Sequence, residues 1–204
     1  ALPQQVDKVI YDFGFPMGPF AMSDLAGLDV GWRIRKRQLK ERGASNERYS
    51  GTVADRICEL GRYGQKTGAG YYRYEKGDRT PIPDDAVKNV IADVAKEFGI
   101  EQRTFTDEEI LRRLLLASVN EACKILEEGK AYRASDIDVM WLHGFGFPRY
   151  RGGLMFWADS VGSKAILEQI EEWHARYGER WKPSDLLREI AAGGGSLREA
   201  KSAE

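Results

Sequence analysis

The chain has 204 residues, with 31 basic and 32 acidic side chains and a formal net charge of -1. That balance supplies no global field to draw nucleic acid or an anionic membrane, and no apolar run is long enough to span a bilayer. Two histidines, and Cys58 and Cys123 set far apart in helix-like patterns, exclude a structural zinc site and read as reduced, unpaired thiols.

Helix patterns dominate. Residues 3–12 read as a helix, and residues 20–39 as helical with a break at Gly27. Residues 52–60 form a third helical pattern. Two turn-rich clusters, 61–70 and 77–83, flank the one stretch that favours extended structure, the tyrosine-bearing 70–74. A linker is placed at 61–83. Beyond it, Val87, Val90, Ile91, Val94, Ala95 and Phe98 fall at three-and-four spacing on a helix over 84–98, which Gly99 stops. Thr106 and Glu109 form a capping box for a long helix. Its apolar stripe runs through Ile110, Leu114, Ala117, Val119, Ala122, Ile125 and Leu126 to Gly129. Ser135 with Asp138 opens the next helix, residues 164–177 form another, and Ser184 caps 185–191. The tail over 193–204 is Gly, Ser and charge, and is expected to be flexible. The fold class is therefore all-α.

An internal repeat organises the chain. Residues 6–31 return in altered form as 137–162, roughly 131 positions later, a period that suits a duplicated domain rather than a solenoid. Each copy has an Asp next to apolar residues (Asp7, Asp138), then Gly-Phe-Pro, a small-residue turn, an Asp (Asp29, Asp159) and a final glycine (Gly31, Gly162). One extra residue slips in between Asp138 and the second Gly-Phe-Pro. The repeat divides the chain into a first helical domain over 1–75 and a second over 84–192.

Several motifs carry two readings. The run from Gly61 to Gly70 resembles a phosphate loop, but Gln65 stands where a glycine must precede Lys66-Thr67, and extended sequence follows instead of a helix. A structural turn is favoured; Arg62 and Lys66 are kept as candidates for an anion. Nowhere does a dinucleotide-binding glycine fingerprint lie between a strand and a helix. The segment Phe13-Gly-Phe-Pro-Met-Gly-Pro-Phe20 packs two prolines, two glycines and three aromatics into eight positions. It is either a helix–helix elbow in the core or, through Phe15, Pro16, Met17, Gly18, Pro19 and Phe20, one wall of a pocket for an apolar ligand. His143 shows no carboxylate partner by spacing and is read as structural, and His174, mid-helix among charged residues, is read as part of a solvated face.

Four stretches in order give a family resemblance: 13–20 with 24–31, 64–72, 119–129, and 136–153. Together they resemble the C-terminal helical region of 3-hydroxyacyl-CoA dehydrogenases, in the duplicated form of the multifunctional fatty-acid β-oxidation enzymes. The resemblance implies two tandem all-α domains of the 6-phosphogluconate dehydrogenase C-terminal type, the first without its N-terminal helix. It also implies a partner Rossmann domain that binds NAD and carries a His–Glu pair, and an Asn at the start of the first helical copy that helps hold the reacting group, all of them expected before residue 1 of this chain. No catalytic, cofactor or metal residue is expected within this chain, so alone it is expected to be inactive. Asn120 is not that catalytic Asn and is expected to bond backbone where the two copies meet. Acyl-CoA is the implied substrate, and NAD the implied cofactor of the full-length enzyme. A homo-oligomer is expected, with a non-catalytic interaction module as the alternative function. Because the chain ends Ala203-Glu204 and not in a Ser-Lys-Leu-type signal, a cytoplasmic location is expected.

Overall fold

The computed structural model describes residues 1–42 and 52–202. Among them there is no strand, only isolated bridges such as Gly64 with Ala69 and Ala69 with Arg73. The extended stretch at 70–74 pairs only through single bridges of Arg73, with Ala69 and with Ile82, and does not extend into a sheet. The helices are α1 (Pro3–Phe13), α2 (Pro19–Ala26), α3 (Leu28–Arg42), α4 (Thr52–Glu59), α5 (Asp85–Glu97), α6 (Asp107–Glu127), α7 (Ala134–Gly144), α8 (Leu154–Val161), α9 (Ser163–Tyr177) and α10 (Asp185–Gly193).

Local chemistry sets their ends. Gly27 separates α2 from α3 at φ 97, a backbone state that a side chain resists. Asp84 caps α5 by accepting the Ala86 amide at 3.0 Å, and Ser184 caps α10 by accepting the Leu187 amide at 3.0 Å. The start of α7 departs from expectation. Its N-cap is Arg133, with no side-chain cap, and Asp138 is turned to a different task described below.

The chain groups into two compact units, residues 1–12 with 17–107, and residues 13–16 with those from 108 onward. In the first, Leu28, Ile57, Cys58 and Val87 are buried together, with Trp32, Val53, Tyr63, Tyr71, Val90 and Ile91 packed around them. Val87, Val90 and Ile91 belong to α5. The apolar face of α5 is therefore spent on α3 and α4, so this helix, expected with the second copy, groups with the first unit. Arg56 of α4 also pairs with Glu97 of α5 at 3.2 Å.

In the second unit, Leu115, Leu116, Val119, Cys123 and Leu126 of α6 are buried, as are Leu154, Met155 and Ala158 of α8 and Ile166 and Ile170 of α9. Asn120 bonds backbone, as expected of it, but inside this unit. Its Nδ2 donates to the Lys182 carbonyl and its Oδ1 accepts the Ser184 amide, both at 2.9 Å, tying α6 to the entry of α10. The segment 193–202 is not a free tail. Leu197 is fully buried, Ala200 is buried, the Asp159 carboxylate accepts the Leu197 amide at 2.8 Å, and Arg133 bridges Lys201. One leucine among glycines and charges was enough to dock it; residues 203 and 204 lie outside the described residues.

Candidate functional site

The glycine-rich loop at 61–74 is built around a carboxylate of the chain itself. Asp24, on α2 and 1% exposed, accepts the Tyr71 amide on one oxygen and the Tyr72 amide and Tyr74 hydroxyl on the other, each at 2.9 Å. A Cβ at Gly70 would lie 2.0 Å from Asp24 Oδ1, and one at Gly64 would lie 2.2 Å from the Asp24 carbonyl oxygen. The glycines are there to let the loop close on Asp24. Three further amides are spent internally: Thr67 on Gly64, Gly68 on Gln65, and Gly70 on Tyr72. Burial pushes the Asp24 carboxyl above the ordinary carboxylate range, against the opposing pull of its three donors. Burial, reinforced by the neighbouring carboxylates, raises the Tyr72 and Tyr74 hydroxyls.

The two candidate cations are both engaged. Arg62 donates to the Gly70 carbonyl at 2.9 Å and pairs with Asp84 at 2.8 Å, with 15% of its side chain exposed. Lys66 pairs with Asp29 and is half exposed. It borders an open depression of about 650 Å³ shared with Tyr74, Glu75, Lys76, Asp78 and Arg79. Arg62 is thus a brace for the loop, and Lys66 is held beside α3 by a carboxylate.

The elbow at 13–20 divides between the units. Phe13 and Phe15 are buried in the second unit, in a box of rings. Phe15 meets Phe147 at 5.5 Å and Trp141 at 6.4 Å, and Phe13 meets Phe147 at 5.7 Å and Trp157 at 5.8 Å, all edge to face. Pro16 abuts Gly146, where a Cβ would stand 2.9 Å from Pro16 Cγ. Tyr150 and Arg151 bond the Phe13 carbonyl, each at 3.0 Å. The rest of the elbow belongs to the first unit. Met17 is 39% exposed, Gly18 is pressed against Asp7, Pro19 opens α2, and the Phe20 ring lies 4.6 Å from that of Tyr71. Asp7 accepts the Phe20 and Ala21 amides at 2.8 Å each, as well as the Tyr72 hydroxyl at 2.8 Å. A carboxylate from α1 therefore caps α2 and ties it to the tyrosine loop.

The second unit repeats this with α7 and α8. Asp138 accepts the Met155 amide at 2.6 Å and the Phe156 amide at 3.3 Å, and a Cβ at Gly153 would lie 2.5 Å from it. Burial raises the Asp138 carboxyl. The match between units also corrects the repeat. α2 and α8 each span 8 residues and end at glycines of like conformation, Gly27 (φ 97, ψ 118) and Gly162 (φ 96, ψ 129). The counterpart of Asp159 is therefore Asp24, not Asp29. Both Asp24 and Asp159 accept amides from a downstream loop, at Tyr71 and Tyr72 in one unit and at Leu197 in the other. Asp24, Tyr150 and Arg151 were not singled out from sequence. The repeat register was the available signal for Asp24.

Comparison with known proteins follows the same lines. The chain is 44% identical to a peroxisomal bifunctional enzyme of Danio rerio, over 95% of this chain and 29% of that protein. It is 43% identical to the peroxisomal bifunctional enzyme of Homo sapiens, over 94% of this chain and 28% of that protein. The chain thus spans less than a third of these relatives. Among solved structures, the dehydrogenase part of multifunctional enzyme 1 from C. elegans matches with a TM-score of 0.68 and 28% identity, over 93% of this chain and 42% of that one. These names correct the expected cytoplasmic location, since the relatives are named as peroxisomal. An import address is read on the whole protein, and this chain matches less than a third of its relatives' length. The family described as "3-hydroxyacyl-CoA dehydrogenase, C-terminal domain" matches residues 1–74 and again residues 110–202. With one match on each helical copy, the chain belongs to the 3-hydroxyacyl-CoA dehydrogenase C-terminal domain family.

Proposed function

We propose that this chain is the C-terminal part of an NAD-dependent 3-hydroxyacyl-CoA dehydrogenase of fatty-acid β-oxidation, within a multifunctional enzyme of the peroxisomal type for which its relatives are named. The observation that carries this reading is the paired family match, one on each helical copy. In the whole enzyme a Rossmann domain binds NAD and takes the proton from the substrate hydroxyl. The described residues of this chain do not fit NAD: the one glycine-rich loop is filled by Asp24, which takes the Tyr71 and Tyr72 amides, and Arg62 and Lys66 are paired. No step of the reaction is assigned to them.

What this chain supplies is apolar surface and its rigid support. In this reading Met17 to Phe20 form one wall of the acyl cleft, which the 39% exposure of Met17 and the packing of Phe20 on Tyr71 support. A wall of this kind excludes water from the reacting centre, which strengthens the electrostatics there. The domain boundaries proposed are a first family copy over 1–75 and a second that begins after α5, which groups with the first unit, and takes in the docked segment up to 202.

The test is hydride transfer measured as NADH from 3-hydroxybutyryl-CoA. The full-length enzyme containing this chain is expected to turn over, and the 204 residues alone are expected to give none. Turnover by the chain alone, or none by the full-length enzyme, ends the reading. A second observation favours a role in assembly as well. Met22, Leu25, Val30 and Ile34 stand 44% to 58% exposed on α2 and α3, a row of apolar side chains that suits an interface between copies. Sedimentation should then report a dimer that Val30→Asp dissociates.

A further inference from the structure

The geometry points to Tyr150 and Arg151 as positioning residues that clamp the stem of the 13–20 turn. Resting on the acyl-cleft reading above, the clamp holds the end of α1, from which the chain runs on to Met17 to Phe20. The two side chains converge on one atom. The Phe13 carbonyl oxygen accepts the Tyr150 hydroxyl at 3.0 Å and Arg151 Nε at 3.0 Å. The Arg151 guanidinium also lies 4.0 Å over the Phe13 ring. Phe13 is the last residue of α1, where carbonyls have no partner in the helix and the helix end is negative, so a guanidinium and a hydroxyl there satisfy both needs.

Packing alone does not account for this arrangement. Tyr150 is 76% exposed, so its ring gains little from burial, and its hydroxyl is the part engaged. Gly14, at φ +119, leaves the room for it: a Cβ there would stand 2.5 Å from the Tyr150 hydroxyl. The clamp also has no equivalent in the other copy. The stretch from Asp138 to Gly153 is four residues longer than that from Asp7 to Gly18, and three of the four, added after Gly-Phe-Pro, form the short turn Arg149–Arg151 that presents both side chains. The insertion thus brings two side chains onto the Phe13 carbonyl, four residues before Met17 in the chain.

Two measurements test the clamp. The first is hydrogen exchange on this chain. In the double variant Tyr150→Phe with Arg151→Gln, amides of residues 13–20 should exchange roughly tenfold faster, since each lost bond loosens the stem by a few-fold. Amides of α9 should be unchanged. Arg151→Lys, which keeps a cation and a donor, should restore most of the protection. The second is kinetics of the full-length enzyme, where the double variant should raise KM for acyl-CoA roughly tenfold with little change in kcat, the mark of lost positioning in both ground and transition states. A merely structural role would lower the active fraction and leave KM alone. Unchanged exchange at 13–20, or faster exchange with an unchanged KM, overturns the proposal. If the wild-type enzyme shows no dehydrogenase activity, the functional reading falls, while exchange still upholds or overturns the clamp by itself.

Discussion

Asp7 and Asp138 hold the same station in the two units. Each is the fifth residue of its helix, and each turns back to accept the first amides of a later helix, Phe20 and Ala21 in one case and Met155 and Phe156 in the other. Each also presses on the glycine that precedes the capped helix, Gly18 or Gly153. A cap supplied from a distant helix ties two elements together as well as ending one. Asp138→Ala is therefore expected to cost about 2 kcal/mol, the upper range for a lost cap, because the amides it leaves are partly buried. Asp7→Ala should cost about as much, and it also releases the Tyr72 hydroxyl. Urea unfolding followed by circular dichroism measures both; a loss under about 0.5 kcal/mol would remove the cap from the account.

Gly70→Ala should be more damaging than any cap. Its Cβ would stand 2.0 Å from Asp24 Oδ1 and 2.5 Å from its Cγ, atoms fixed by three hydrogen bonds. The loop has to open or Asp24 has to leave its donors, and either costs about 3 kcal/mol. Gly77→Ala is the control, because nothing lies within 4 Å of its added carbon; only the positive φ of 86 opposes it. Thermal unfolding should rank the two clearly, with Gly70→Ala far lower.

The helices were legible because their apolar residues recur every three or four positions and their ends carry Asp84, Ser184 and glycines. The capping aspartates were visible as repeat members, but not their task, since Asp7 acts on amides 13 and 14 positions away. Asp24 was hidden for the same reason: its donors lie 47 to 50 residues on, and the loop that holds them reads locally as an anion site. Arg62 looked free because Asp84, its partner, lies beyond the linker. The placement of α5 could not be read from its own pattern, since an amphipathic face states that it packs but not against what. The family resemblance carried the fold, and it carried nothing about which polar groups fasten it.

Asp24 should leave a signature in the pH dependence of stability. Burial raises its carboxyl above the ordinary value, so the folded chain binds that proton more tightly than the unfolded chain does. Its contribution is complete below the unfolded value, near pH 4, and is lost as pH rises through the raised folded value. Asp138 is displaced in the same sense, and because both chains keep it, its share cancels in a comparison with Asp24→Asn. The stability of the wild type relative to Asp24→Asn should therefore fall as pH climbs from about 4 toward neutrality and then level off. Urea titrations at a series of pH values give the difference directly. A difference that grows with pH would mean that the three hydrogen bonds to the carboxylate outweigh its burial.

Leu197 decides whether the last segment belongs to the fold. It is fully buried, its amide is held by Asp159, and the short turn at Leu197–Glu199 lies against α8 and α7. A leucine in that setting contributes through transfer from water and through the cavity its removal leaves, so Leu197→Ala should cost about 3 kcal/mol. Asp159→Asn should cost less, about 1 kcal/mol, since an amide oxygen can still accept the Leu197 N–H. The order of the two matters more than either value. If Leu197→Ala left unfolding by urea unchanged and proteases cut freely after residue 194, the segment would be a tail after all. Asp159 would then lack the partner that makes it the counterpart of Asp24.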